Sequence, residues 1–347
     1  MRRRQGGSFT PRNGHSLKTK RDNRTGSSIL NSDRGSQSRT QHLRQAEQCH
    51  EGLDFQDGDC FRTFIRRIFS PTIEVDFPRH PFCIPNRIMP ELKDSVPAAS
   101  ITVASYNIHQ GVGWDGRRDP TRIAQVLKNL DADIIGLQEV DCGPGIKTAS
   151  YQMDYLAGLT GLYVFAGPTI QRHTGDYGNV LLVRHPILDI RSIDLSVPNS
   201  EPRGAIDADV DIAGDVVRII VTHLGLGGGE RRNQVEKLLT FLTEKRARPV
   251  VLLGDINEWF PMGLPLRRLH ARLGRSIGLP TFPSIFPLLA LDRILVWPNH
   301  ALLSICVHDT PLSRIASDHL PLKAVIAVNQ CPVSVAGVSI PSPAPSR

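Results

Sequence analysis

No apolar run in this 347-residue chain approaches the ~18–20 residues a helix needs to cross a bilayer. Cysteine is sparse and unpaired: Cys49, Cys60, Cys83, Cys142, Cys306 and Cys331 stand singly, with no CxxC. That spacing argues against a zinc site and a disulfide framework, and favours a reducing compartment. The start, Met1-Arg2-Arg3-Arg4-Gln5-Gly6-Gly7, is basic but is not followed by the apolar segment of a secretory signal. A soluble, cytoplasmic protein is therefore expected, and a monomer. No internal repeat is visible. Acidic residues are scarce in residues 1–50, which carry eleven Lys/Arg against three Asp/Glu, a net of +8. The rest holds 30 basic and 31 acidic residues, so the whole-chain charge of +7 belongs to the first fifty residues. Any attraction to nucleic acid or to an anionic membrane is assigned to that segment, not to the folded part.

What is present divides the chain into three. Residues 1–97 read as a mostly disordered basic extension followed by a proline-rich linker or wrapping arm. Within it, Cys60–Phe69 is a short basic-aromatic segment compatible with an amphipathic helix. Residues 98–329 alternate buried-strand and helix patterns, as one α/β domain does, and residues 330–347 form a disordered, proline-rich tail. Strands are expected at Ile101–Tyr106, Ile134–Leu137, Asn179–Val183, Val216–Thr222, Val250–Leu253, Ile294–Trp297 and Leu322–Val328. Asp119-Pro120 opens one helix, with Asp as cap and Pro at the first helical position. Val235, Leu238, Leu239 and Leu242 mark another.

Polar residues cluster where these strands end. Asn107 follows the first, Gln138-Glu139 the second, Thr222-His223 the fourth and Asp255 with Asn257 the fifth, while Asp292-Arg293 and Ser317-Asp318-His319 precede the last two. The stretch Val250–Asn257 is the sharpest example. Gly254 permits a tight turn, and in extended backbone Asp255 and Asn257 would point the same way. Each residue also has a plain explanation: an Asx turn at Asp255, a turn at Asn107, a solvated acid at Glu139, a core histidine at His223. The coincidence of all of them at strand ends is harder to explain as turns.

Together the blocks Ser105-Tyr106-Asn107-Ile108, Leu137-Gln138-Glu139-Val140, Gly178-Asn179-Val180-Leu181-Leu182, Thr222-His223-Leu224, Gly254-Asp255-Ile256-Asn257, Leu291-Asp292-Arg293-Ile294 and Ser317-Asp318-His319-Leu320-Pro321 resemble, in order, those of the endonuclease/exonuclease/phosphatase superfamily, whose fold is that of pancreatic deoxyribonuclease. The resemblance implies a four-layer α/β/β/α sandwich, two mixed β-sheets flanked by helices. It implies Mg²⁺ or Mn²⁺ as cofactor, held chiefly by Glu139 with Asn107 close by and Asp318 contributing; a largely hydrated hard cation needs only one or two carboxylates. His319 paired with Asp292 would act on the attacking water. Asp255 and Asn257 would grip phosphoryl oxygens, and His223 would serve the leaving group or the scissile phosphate. Glu201 is a looser candidate for orienting His223. Arg203 is read either as a phosphate contact or as a solvated surface residue.

Inositol polyphosphate 5-phosphatases carry different residues around the Gly-Asp-x-Asn block, where this chain has Leu253 and Glu258. Abasic-site endonucleases differ at the His223 block and favour a basic surface. The nearest pattern is that of small bacterial-type members, with Asn107-Ile108-His109, Gly111-Val112-Gly113-Trp114-Asp115-Gly116-Arg117 and Thr281-Phe282-Pro283-Ser284. His109, Arg117 and Gly225–Gly229 could border the phosphate. The expected activity is metal-dependent hydrolysis of a phosphodiester, in a lipid headgroup or a nucleic acid. A nuclease drawing affinity from residues 1–50 and an inactive phosphate-binding module are the alternatives.

Overall fold

A computed structural model describes residues 83–85, 99–141, 152–171, 175–242 and 248–328. The expected extension over 1–50, the segment 60–69 and the tail from 330 lie outside the described residues.

Twelve strands build two sheets. The larger has the order β1 (Cys83–Pro85), β11 (Leu302–Val307), β12 (Leu322–Ala327), β2 (Ser100–Asn107), β3 (Ile134–Asp141), β5 (Tyr177–Val183), β4 (Tyr163–Ile170). The smaller runs β10 (Asp292–Trp297), β9 (Val250–Asp255), β8 (Asp215–His223), β7 (Gly204–Ile212), β6 (Ile187–Asp194). Parallel pairing joins β2 to β3 and β8 to β9, and the other pairs are antiparallel. Both sheets are thus mixed. The linker expected before residue 98 contributes β1, which pairs with β11 at the edge of the larger sheet.

The sheets face each other across one apolar layer in which Val103, Ile134 and Leu181 meet Ile219, Val221, Val251 and Leu253, all fully buried. Gly136 permits the closest approach, since a Cβ there would collide with the side chains of Leu253 and Val221. Helices α1 (Pro120–Leu130) and α2 (Gln152–Thr160) cover the outer face of the larger sheet. The outer face of the smaller one is covered by α3 (Gly228–Phe241) and α4 (Leu264–Leu273). A short α5 (Pro311–Ala316) leads towards β12. The layers are therefore α/β/β/α, as expected.

Helix α1 starts as its sequence requires. Asp119 accepts a hydrogen bond from the Thr121 amide at 2.9 Å, Pro120 opens the first turn, and Ile123, Val126, Leu127 and Leu130 are buried on one face. Among the described residues no helix is long and apolar enough to cross a membrane.

Candidate active site

The strand ends that carry polar residues meet at one edge of the sandwich. On the smaller sheet β8 and β9 run parallel, with His223 directly beside Asp255, and β10 places Asp292 on the other side of Asp255. On the larger sheet β2 and β3 bring Asn107 beside Gln138. The eight principal site residues expected from the sequence are buried: Asn107, Glu139, His223, Asp255, Asn257, Asp292, Asp318 and His319.

Local backbone irregularities aim these side chains. A bulge in β3 sets one extra residue between Leu137 and Val140 against β5, and Glu139 takes the left-handed conformation there, φ 59°. The interruption breaks strand alternation just where the carboxylate must leave the sheet. Gly254 is required because its φ of +152° is outside the usual range for L side chains, and a Cβ would strike the Thr222 carbonyl of the adjacent strand.

Asp255 and Asn257 do converge, but not because the backbone is extended. β9 ends at Asp255, and Asn257 is left-handed at φ 54°. The Asx turn is real: Asp255 Oδ1 accepts from the Asn257 amide at 3.0 Å. It leaves Oδ2 facing the site, so the turn and the chemistry share one carboxylate.

That Oδ2 atom is the hub. It accepts from Asn107 Nδ2 at 3.1 Å, and lies 3.6 Å from His223 Nε2 and 3.7 Å from His319 Nε2. Asn107 Nδ2 also donates to Glu139 Oε1 at 3.0 Å, linking the two sheets' carboxylates through a single amide.

On one flank, His319 Nδ1 lies 2.9 Å from Asp292 Oδ2. The Thr281-Phe282-Pro283-Ser284 segment supports this pair. Thr281 Oγ1 donates to the same Asp292 oxygen at 2.6 Å, Phe282 lies against the His319 ring at a centroid distance of 4.8 Å, and Ser284 Oγ donates to the Ser317 carbonyl at 2.7 Å. Burial works to lower the His319 pKa, but the fields of Asp292, Asp255 and Asp318 and the Asp292 hydrogen bond outweigh it and push it up to about 10. Asp255 is pushed up chiefly by burial, against the opposing pull of His319.

On the other flank, Asn257 Nδ2 lies 3.2 Å from His223 Nε2 and donates to the Leu224 carbonyl at 2.8 Å. Arg203 Nη1 approaches His223 Nδ1 at 3.4 Å. Glu201 does not orient His223 directly; it is half-exposed and accepts from Arg203 Nη1 at 2.9 Å. Arg203 itself is buried rather than solvated, and lines a narrow cleft with Glu139, Thr169, Tyr177, Asn179 and His223. From sequence alone nothing separated Arg203 from the many solvated arginines, because its burial depends on β4 and β5 closing over it.

Asp318 is joined to Asn107 through its neighbour Ser317. Ser317 Oγ donates to the Asn107 carbonyl at 2.8 Å, and Asp318 Oδ2 lies 3.7 Å from His109 Nδ1. Arg117 is exposed, its amide closing a turn on Asp115. Gly228 and Gly229 begin α3 rather than forming an open phosphate loop. Glu258 is buried against Arg231 at 3.3 Å, a pairing that accounts for an acid just after the Asp255–Asn257 turn.

The profile of the Endonuclease/Exonuclease/phosphatase family matches residues 104–319, which contain every residue of this cluster. The chain belongs to that family. Among relatives, the uncharacterized protein YbhP of Escherichia coli (strain K12) is 30% identical over 256 residues, covering 68% of this chain and 99% of YbhP. Protein cwh43 of Schizosaccharomyces pombe is 30% identical over 157 residues, 45% of this chain and 16% of that protein. Solved structures share the family fold. An endonuclease/exonuclease/phosphatase from Beutenbergia cavernae superposes with a TM-score of 0.53 at 24% identity, over 66% of this chain and 72% of that one. The human Nocturnin catalytic domain with bound sulfate gives 0.55 at 22%, over 72% and 97%. Members of the family are hydrolases of phosphoester bonds and generally depend on a divalent metal.

The residues present suit such an ion. Glu139, Asp255, Asp292 and Asp318 are four buried carboxylates at one strand edge, more negative charge than the neighbouring histidines balance. Asp292 Oδ1 is buried without a hydrogen-bond partner among the described residues. The tightest potential ligand group is Asp255, Asp292 and His319, whose ligand atoms lie within 4.8 Å of one another. His319 and Asp292 are already hydrogen-bonded to each other, while Glu139 and Asp255 offer two further carboxylates, bridged by Asn107 Nδ2; Asn107 Oδ1 accepts from the His109 amide.

Proposed function

We propose that the protein is a metal-dependent phosphodiesterase. The observation that carries this reading is the placement of two histidines on opposite flanks of one carboxylate oxygen, Asp255 Oδ2, 3.6 and 3.7 Å away. Displacement at phosphorus needs one group on the side of the entering water and another on the side of the departing oxygen. The Asp292–His319 pair takes the first role and His223 the second. The Thr222-His223-Leu224 block resembles that of superfamily members that cleave diesters, and this favours a diester over a monoester.

Mg²⁺ or Mn²⁺ would be held by Glu139 and Asn107 with help from Asp318, and when bound supplies charge neutralisation on the phosphate and the leaving oxygen. The chain's own residues do the rest. The field of the surrounding carboxylates keeps His319 protonated. With that field offset by a bound cation it would release the Nε2 proton to solvent. As a neutral imidazole held through Nδ1 by Asp292, it would then orient the attacking water and accept its proton. Asn257 offers its amide to a phosphoryl oxygen, and Arg203, already beside His223, offers its guanidinium. A solved structure of the same fold that holds a sulfate supports an anion site in this architecture.

The test is a panel of bis-aryl phosphate, monoaryl phosphate, nucleic acids and phospholipid vesicles with Mg²⁺ or Mn²⁺ after EDTA stripping. We expect the diester to be cleaved in preference to the monoester. Preference for the monoester would contradict the role given to His223. A nuclease relying on residues 1–50 is the second reading, supported by their net charge of +8. It requires nucleic-acid cleavage to fall steeply with salt and with removal of those residues.

A further inference from the structure

The two loops that leave the catalytic strand ends expose apolar side chains. After Asn257 come Trp259, Phe260 and Met262, with Phe260 52% and Met262 63% exposed. After His223 comes Leu226, 42% exposed. Arg231 holds these loops side by side, donating to the Gly225 carbonyl at 3.2 Å and pairing with Glu258 at 3.3 Å. The loop that begins at Phe282, against His319, exposes Leu288. Apolar groups thus follow the catalytic residues on three loops, each within a few positions of the chemistry.

Charge in this region is one-sided. From Trp259 to Leu291 there is no acidic residue in 33 positions, but there are four arginines: Arg267, Arg268, Arg272 and Arg275. Outside residues 1–50 acids and bases are otherwise balanced, so this run stands apart. Arg268 pairs with Glu236, whereas Arg267 and Arg275 are exposed on and just beyond α4. Exposed apolar side chains beside the exposed Arg267, in the first turn of α4, complement a bilayer that carries anionic headgroups. Apolar contact with a protein does not call for cations, whereas an anionic headgroup surface calls for both features.

We propose that the Trp259–Leu264 loop, with Leu226 and Leu288, seats on an anionic phospholipid bilayer and presents the cleft to a lipid phosphodiester. The choice of lipid as substrate rests on the hydrolytic reading; the docking does not.

The test separates the two. Full-length protein carrying His319→Ala, in EDTA, is mixed with vesicles of phosphatidylcholine alone or with phosphatidylglycerol, and binding is measured by flotation. Binding to the anionic vesicles is expected. The triple change Trp259→Ser, Phe260→Ser, Met262→Ser should weaken it by about tenfold or more. Arg267→Gln should weaken it by roughly fivefold, on anionic vesicles only. Tryptophan emission should shift to the blue and be quenched by brominated lipid, and Trp259→Phe should remove that response while Trp114 and Trp297 remain. With His319 restored, the triple variant should cleave soluble bis-aryl phosphate normally and vesicle lipid poorly. Equal vesicle binding by the triple variant and its parent overturns the proposal, because residues 1–50 would then account for the binding. So does an unshifted Trp259, or a dimer in light scattering that the triple variant dissolves without any vesicle binding. Vesicle binding with no cleavage of any phosphodiester would leave the docking standing and remove the hydrolytic reading.

Discussion

The two sheets contribute to the site in different ways. The larger supplies Asn107 and the bulged Glu139, and the loop entering β12 adds Asp318 and His319. The smaller supplies His223, Asp255, Asn257 and Asp292, three of them from the ends of adjacent strands. On the larger sheet a backbone irregularity is needed to turn the Glu139 carboxylate towards the cluster. On the smaller, plain strand pairing places His223, Asp255 and Asp292 in a row. Neither sheet carries a complete site. They are joined by the Asn107 amide, which donates to a carboxylate from each.

This division can be broken one side at a time. The largest effects should come from Glu139→Gln and His319→Asn, each lowering hydrolysis on the order of a thousandfold. They should differ by calorimetry: Glu139→Gln loses Mn²⁺ binding, and His319→Asn keeps it. Equal metal binding by both variants would refute the assignment of the cation to the larger sheet. Next, Gly254→Ala forces a Cβ against the Thr222 carbonyl where β8 and β9 pair. It should cost about 2–4 kcal/mol in chemical denaturation and lower activity even in the molecules that remain folded.

A smaller effect is expected in the pH dependence of stability. The folded-state pKa of His319 is raised to about 10, so its stabilising contribution is complete below the ordinary histidine range and is lost as pH climbs towards 10. The stability gap between wild type and His319→Gln, both in EDTA, should therefore narrow from pH 7 to pH 10. The smallest is Glu201→Gln. Glu201 touches Arg203 rather than His223 and is half-exposed, so activity should change by no more than about threefold.

Much of this was readable because the central strands are buried on both faces. β2, β3, β5, β8 and β9 carry clusters of buried apolar residues, and β2, β3, β8 and β9 end in polar residues that the fold brings to one edge. The strands that escaped notice look different. β6 lies at a sheet edge and is mostly exposed, so its alternation carries no strong apolar signal. β7 reads as polar because of Asp207 and Asp209, yet both are buried; Arg218 pairs with Asp207 at 2.7 Å and Arg248 with Asp209 at 2.8 Å. Such pairs link residues far apart in sequence and have no local signature. Helix α4 was hidden by its arginines, which mask Leu266, Leu269 and Leu273 on the buried face. In the site, side-chain identities were legible but their aim was not. The left-handed conformation at Glu139 goes with a bulge against β5, which its own sequence does not announce, and Arg203 lines a cleft with residues of β4 and β5 that only the folded chain brings beside it.

The Gly136 contact, where Leu253 and Val221 of the smaller sheet press onto the bare backbone of β3, lies three residues before Glu139 and two before Asp255. It acts as a spacer, setting the gap across which Glu139 of one sheet faces Asp255 of the other. Selection for a different ester could change that gap through apolar substitutions in the interior, leaving every polar side chain of the site in place.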